Sequence, residues 1–399
     1  MVGVPASVAI GEQWAKPEDR ISWAELRRRF VNADWTFAET PPTPGGELHP
    51  YPARFIPALP AQVLGILQPA GAVLDPFCGS GTTLEQAQQY GLPAVGNDLN
   101  PIACLISRVR TGVWQHGDWH TAERHAVALA AAARRGSGFG ATHLHNIPRL
   151  DHWFPKWAQF ALSGAVDYLG TLPSSDPWHD RVALSISACV VRLSRQDSDT
   201  RYAAVDKTGD VELAVDSLAR SLLRTAAWLK LHAVGPRPAS TVLQGDAREL
   251  HIPDGSVVAA IFSPPYPNAY EYWLYHKYRM YWLGYDPISV RAQEMGARPH
   301  YCRPNGLTEH DFAAQMSGVF VELRRVLRPR APVVVVIGDS VIGGRWIDNA
   351  ELLKAVAVQQ DFDPIVQCQR PILRTRSSFN NAHSRGRRSE HLLLFRGPQ

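Results

Sequence analysis

Short apolar runs bounded by turn residues alternate in this chain with longer segments of helical period. Ala72, Val73 and Leu74 form one run, which ends at Asp75 and a glycine-bearing loop before Leu84, Ala87 and a turn at Gly91. That order reads as strand, loop and helix. Pro93 to Gly96 reads as a second strand, ending at Asn97 and Asp98. Ser240 to Leu243 and Ser256 to Ile261 are further strand-like runs, and the latter delivers Ser263-Pro264-Pro265-Tyr266 at its carboxyl end. Phe312 to Leu327 has helical period, Ala331 to Ile337 reads as a strand ending in Gly338 and Asp339, and Asn349 to Gln359 is again helical. Ile365 to Arg370 and His391 to Phe395 add two strands. Repeated switching between the two periods predicts an α/β fold with an open, mostly parallel sheet and helices on both faces.

The pattern changes between Pro101 and Leu231. Alanine-rich Thr121 to Arg135, apolar Trp157 to Leu169 and Val211 to Leu231 predict helices, with GSGFG and TLPSSDP as breaks. Such a stretch exceeds an ordinary loop, so a large helical insertion is expected between core strands. The chain then divides into an N-terminal arm, 1–48, with an amphipathic candidate around Trp23 to Phe30, and a first core part, 49–103. The insertion, 104–239, is a candidate target-recognition region, and 240–399 is the second core part with an arginine-rich end.

Composition adds little to the fold and something to the setting. With 399 residues, 45% apolar and 20% charged, the chain can bury one or two cores. It has no apolar run of membrane-spanning length and no basic start followed by a long apolar segment, so a cytoplasmic protein is expected. The five cysteines show neither zinc-finger spacing nor a disulfide pattern, which fits a reducing compartment. His143 and His145 lack a third or fourth ligand nearby, and no metal is expected in the chemistry.

The candidate chemistry sits at two strand ends. In Asp75 to Thr83, DPFCGSGTT, Gly79 and Gly81 lack a Cβ and can bring their amides close to a ligand. Asp98, at the next strand end, can accept hydrogen bonds from ribose hydroxyls. Leu84 stands where a dinucleotide fingerprint requires glycine, and no phosphate-loop lysine follows, so a pyrophosphate cofactor loses ground to one with an amino-acid tail. A tight strand-to-helix turn and a helix-capping aspartate remain the structural alternatives. At the other end, the two prolines of Ser263 to Tyr266 hold an extended backbone and leave carbonyl groups as acceptors. Ser263 Oγ and the Pro264 carbonyl can then hold an amino group while Tyr266 stacks on its ring. Cys78 lies within the glycine loop and no Pro-Cys pair exists, which disfavours cysteine attack on a base carbon. A small buried side chain is the expectation for Cys78.

Together DPFCGSGTT, GNDLNP and SPPY resemble the motifs of S-adenosylmethionine-dependent DNA amino-methyltransferases, the N4-cytosine/N6-adenine family. The resemblance covers Leu48 to Ala103 and Ser240 to Gly397, with cofactor elements first. It implies a Rossmann-like class I methyltransferase fold and S-adenosyl-L-methionine as cofactor. Asp75 would face the ammonium group, Phe77, Gly79, Gly81 and Thr82 would line the cofactor loop, and Asp98 would hold the ribose. Asp246, in LQGDAREL, matches the acidic residue beside the adenine amino group. HPYPARFIP resembles the segment completing the methionine pocket, with Tyr51, Arg54 and Phe55 as wall and charged contact. A proline-rich entry turn with Phe55 packed on the sheet is the alternative. The catalytic set would be Ser263, Pro264, Pro265 and Tyr266.

Serine at the loop's first position implies, within that family, transfer to cytosine N4 in preference to adenine N6. An RNA amino-methyltransferase and a noncatalytic DNA-binding protein are further readings. The partner implied is DNA, double-stranded with a flipped target base, with a cognate restriction endonuclease in addition. The formal charge of +4 is mild, but Arg370, Arg374, Arg376, Arg385, Arg387, Arg388 and Arg396 crowd one stretch and can neutralise phosphates. Lys277 and Arg279 are further phosphate candidates, as are Arg192, Arg195 and Arg201, each with ordinary surface charge as the alternative. The seven Tyr and Trp residues from Tyr270 to Trp282 leave two roles open, pocket border for Tyr270 and Tyr272 or the packing face of a helix.

Overall fold

The computed structural model describes residues 21–38, 46–52, 54–137, 146–199, 201–233, 235–371 and 389–399. Its strands, in chain order, are β1 Val73–Asp75, β2 Ala94–Asp98, β3 Ser240–Gln244, β4 Ala259–Phe262, β5 Pro332–Gly338, β6 Ser340–Ile342, β7 Arg345–Ile347, β8 Asp363–Pro371 and β9 Ser389–Arg396. Seven of them form one sheet in the order β3-β2-β1-β4-β5-β9-β8. The β3-β2-β1-β4-β5 portion is parallel throughout, while β9 runs antiparallel to both β5 and β8. The chain winds from β1 outward to β3, then crosses to the other side of β1 to begin β4. That reversal opens a crevice at the carboxyl ends of β1 and β4. The fold is therefore Rossmann-like and mostly parallel, as expected from the sequence.

Alternation along the central strands sorts their side chains into two cores. Leu74, Ala260, Phe262, Val333, Val335 and Ile337 face the helices Glu309–Val326 and Asn349–Gln359. Val73, Ala259, Ile261, Val334 and Val336 face the opposite core, with helices Trp23–Asn32 and Ala58–Leu67. Burial on both faces explains why these strands read as unbroken apolar runs.

The insertion is helical. Asp118–Arg135, Lys156–Gly170, Pro177–Leu193 and Val211–His232 pack into a third core. Helix Tyr272–Trp282 joins them, burying Trp273, Tyr278, Met280, Tyr281 and Trp282. Much of the aromatic run after SPPY is thus packing. Helices that escaped the sequence reading include Ala58–Leu67, Pro101–Arg110 and Pro177–Leu193. Pro101–Arg110 and Pro177–Leu193 are buried on nearly every side, polar residues such as Ser107, Arg110, Arg181 and Ser185 included. Their starts were nevertheless marked, by Asn100 and Asp176 as caps before Pro101 and Pro177. The division placed after Ala103 cuts the helix Pro101–Arg110. Among the described residues no helix is long and apolar enough to cross a membrane.

Candidate active site

Asp75 ends β1 and Asp98 ends β2, so both carboxylates stand at carboxyl ends of adjacent parallel strands. The loop between β1 and helix Thr82–Gln89 is pinned to them. Asp75 Oδ1 accepts the Phe77 amide at 3.1 Å, and Asp98 takes the Gly79 amide on Oδ2 at 2.9 Å and the Asn100 amide on Oδ1 at 2.8 Å. Burial pushes the Asp75 carboxyl up to about 7 and Asp98 to about 6, with the accepted amides pulling the other way. Among the described residues no cation pairs with either of these two raised acids, which is the environment a positively charged ligand would complete.

The glycines are needed for shape. Gly79 and Gly81 have φ of 50° and 79°, a region that penalises any side chain. A Cβ at Gly81 would stand 2.8 Å from Ser107 Oγ, and one at Gly79 would stand 3.2 Å from the Tyr51 ring. Ser107 Oγ donates to the Gly79 carbonyl at 2.8 Å, so helix Pro101–Arg110 also fastens the loop. Thr82 is buried in the first turn of the following helix, and Phe77 packs against Phe262 with ring centroids 5.8 Å apart. Cys78 is buried, and burial raises its thiol well above the usual range, consistent with the packing role expected.

Tyr51 reaches the loop as expected of HPYPARFIP, and its ring stacks on Tyr272 at 5.9 Å and His276 at 5.2 Å. Its two neighbours in that motif do not follow it. Phe55 packs into the core with helix Ala58–Leu67, the sheet-packing alternative, and Arg54 forms an ion pair with Glu47. Asp246 lies just past β3, where Gly245 donates its amide to the Asp98 carbonyl at 3.0 Å. Its carboxylate is engaged by Arg248, with Nε 2.9 Å from Oδ1, which lowers its pKa against the opposing effect of burial.

Sequence reasoning missed Glu294. It is buried, and its two oxygens accept the Tyr272 and Trp273 amides at 2.9 and 2.7 Å, closing the start of that helix. Burial chiefly, with Asp98 adding to it, pushes this carboxyl up to about 8. Nothing local in QEMGARP signals the role, because its partners lie in another element.

The SPPY loop leaves β4 beside β1. Ser263 Oγ donates to Tyr266 Oη at 3.4 Å, and Tyr266 Oη donates to Glu390 Oε1 at 3.0 Å. Arg370 Nε lies 3.4 Å from the other Glu390 oxygen. The Tyr266 ring backs onto Gly338, where a Cβ would stand 3.0 Å away. Burial and the Glu390 charge hold the Tyr266 hydroxyl well above its usual pKa. Glu390 stands on β9, opposite Gly338, so its place here depends on β9 lying beside β5.

Among the basic candidates in the described residues Arg279 alone is buried, Arg192 and Arg201 are exposed, and the others are partly exposed. Arg279 is 1% exposed, donates to the Ser187 carbonyl and pairs with Asp199, because its helix face is the core of the insertion. Lys277 donates to Tyr202 Oη at 3.3 Å and lies over aromatic rings. Arg195 donates to the Asp151 carbonyl, Arg201 pairs with Asp197, and Arg396 pairs with Asp363. Arg374, Arg376, Arg385, Arg387 and Arg388, like His143 and His145, lie outside the described residues. Among the described residues no group of three or more His, Cys, Asp or Glu side chains is placed to hold a metal ion.

No family model matches the chain. Over 64 residues it is 42% identical to the type II methyltransferase M.MjaII of Methanocaldococcus jannaschii, covering 16% of this chain and 12% of that protein. Over 115 residues it is 26% identical to the type II methyltransferase M.MvaI of Kocuria varians, covering 27% of this chain and 25% of that one. The matched stretches thus span a quarter or less of these relatives. Among solved structures, a SAM-dependent methyltransferase from Methanosarcina mazei aligns with 82% of this chain and 92% of its own, at 11% identity and a TM-score of 0.32. The glycopeptide N-methyltransferase MtfA aligns with 85% of this chain and 95% of its own, at 9% identity and a TM-score of 0.31.

Proposed function

We propose that this chain is a site-specific DNA methyltransferase that transfers a methyl group from S-adenosyl-L-methionine to cytosine N4. One observation carries the reading: Asp75, Asp98 and Ser263, from motifs far apart in sequence, stand at the carboxyl ends of the neighbouring strands β1, β2 and β4. The short likenesses to type II methyltransferases support the same class.

The residues present fit the cofactor. S-adenosylmethionine is cationic at its ammonium and sulfonium; Asp75 is buried, Asp98 is partly buried, and among the described residues no protein cation pairs with either. Asp75 would take the ammonium, Asp98 the ribose hydroxyls, and Tyr51 would form a wall beside Gly79. Asp246 would meet the adenine amino group only by sharing its carboxylate with Arg248. When bound, the cofactor supplies an electrophilic methyl group.

The protein's own part is orientation. A carboxylate accepts and does not donate, so the Tyr266 hydroxyl proton is committed to Glu390. Tyr266 Oη is then left to accept from Ser263, and the Ser263 lone pairs are free to accept from an amino N–H. With the Pro264 carbonyl as second acceptor, both amino hydrogens would be held and the nitrogen lone pair turned toward the methyl donor. Gly338 supports one side of the Tyr266 ring, and the target base would stack on the other. Holding the two reactants in line supplies much of the acceleration, and reaching an amine within a duplex requires the base to flip. A cognate restriction endonuclease is the partner this reading implies.

Incubation of the purified protein with labelled S-adenosylmethionine and unmethylated genomic DNA, followed by nucleoside mass spectrometry, tests the reading. N4-methylcytosine is expected. N6-methyladenine would keep the mechanism and replace the base, whereas product on RNA alone, or none, would overturn DNA methylation.

A further inference from the structure

The hairpin β6–β7 leaves the end of β5 through Gly338, the residue against which Tyr266 rests. Its tip is Gly343-Gly344, with φ of 56° and 78°, the paired positive values of a tight two-residue turn. Ser340 and Ile342 are buried, and Asn349 Nδ2 donates to Ser340 Oγ at 2.7 Å, so one face is fixed to the core. The other face is inverted in polarity. Val341 and Trp346 are direct cross-strand partners, so their side chains share that face, and they are 47% and 66% exposed. Asn268, two residues past the SPPY tyrosine, donates from Nδ2 to the Val341 carbonyl at 2.6 Å. The hairpin is therefore tied both to the strand behind Tyr266 and to the loop that carries it.

The surroundings select the occupant. Cys302 lies against Asn268, with Sγ 3.2 Å from Oδ1, which brings the segment 295–308 beside the hairpin. That segment contains Arg298, His300 and Arg303 and no carboxylate, and both arginines are exposed. Arg298 is offset in part by Glu271, and Arg345 of the hairpin pairs with Glu309, whereas Arg303 has no carboxylate partner among the described residues. An apolar pair bordered by exposed guanidinium groups suits base faces bordered by phosphates better than an apolar protein surface.

We propose that this hairpin is a wedge for duplex DNA, inserting Trp346 and Val341 into the base stack beside the flipped nucleotide while Arg298 and Arg303 meet the flanking phosphates. The inference rests on the DNA-methyltransferase reading and adds the element that would open the duplex. A wedge matters only while a paired base must be extracted, which sets its test apart from that of a general binding surface.

Once the methylated context is mapped, the test uses oligonucleotide duplexes carrying it, with the target base either paired or opposite an abasic site. Trp346→Ala should slow single-turnover methyl transfer on the paired duplex by about tenfold or more and recover to within about twofold of wild type opposite the abasic site. Trp346→Phe should retain most of the paired-duplex rate, and thermal melting should show all variants folded. An equal loss on both duplexes, or no loss on either, would overturn the wedge. A wild-type dimer in sedimentation that Trp346→Ala splits into monomers would assign the face to a second copy instead. Absence of any methylated base with the wild type would sink the methyltransferase reading itself, and the wedge with it.

Discussion

The two ends of the crevice are built by opposite means. Around β1 and β2 the parts are close in sequence: Asp75 holds Phe77, Asp98 holds Gly79 and Asn100, and the glycine loop closes on Asp98 and on Ser107 of the helix that follows β2. Around β4 and β5 the parts are gathered from afar, since Ser263 and Tyr266 depend on Glu390 of β9 and on Gly338 of β5. The first end is a charge arrangement, buried acids awaiting a cation. The second is a polarity arrangement, a hydrogen-bond chain whose direction fixes which atom accepts. Substitutions should therefore separate cleanly into losses of cofactor affinity and losses of turnover.

The largest expected effect tests the second end. Ser263→Ala should lower kcat on the order of 100-fold or more, the scale for deleting one oriented polar group at a reacting centre, while S-adenosylmethionine affinity measured by calorimetry stays at the wild-type value. A variant with normal kcat would remove Ser263 from the mechanism. Next comes the first end: Asp98→Asn should weaken cofactor binding roughly tenfold to 100-fold, the worth of a charged hydrogen bond. An unchanged Kd would leave Asp98 as a loop staple alone.

Glu390→Gln is expected to have a smaller effect and to sharpen the contrast. A glutamine amide can donate toward Tyr266 and reverse the chain, so kcat should fall about tenfold with cofactor Kd unchanged. Because Glu390 would act through Tyr266, Tyr266→Phe should make the further substitution at Glu390 nearly silent. Equal and additive losses would show that the two act separately.

The smallest effect is on pH. Asp75 at about 7 and Asp98 at about 6 complement a cation better when ionised, so cofactor affinity should fall severalfold as pH drops from 8 to 5.5, and Asp98→Asn should flatten the lower part of that curve. The ligand-free fold has the opposite sign. Folded-state pKa values above the unfolded ones mean that these two acids contribute stability below about pH 4, which is lost as pH rises through 6 and 7. Melting temperatures with and without cofactor should accordingly diverge most at the alkaline end.

The same contrast explains what was legible in the sequence. Asp75, Gly79, Gly81 and Asp98 were readable because local backbone demands dictate their residue types, as the positive φ at both glycines shows. The central strands were readable because burial on both faces leaves only apolar residues. Glu294 and Glu390 were not, because each gains its role from an amide or hydroxyl on a separate element. Arg279 misled for the reciprocal reason, a buried charge whose partner, Asp199, lies in the insertion. Helices Pro101–Arg110 and Pro177–Leu193 went unread although their Asn-Pro and Asp-Pro starts were written plainly.

In the sheet, β8 touches only β9, and β9 bridges β8 to β5. During synthesis β8 therefore emerges before the strand that must lie between it and the rest of the sheet. The cofactor end can assemble on the ribosome from early segments, but the acceptor for Tyr266 arrives with β9. On the proposed function, a nascent chain would thus possess a methyl-donor site before it possessed a competent target-base site, and partial products would be silent on DNA.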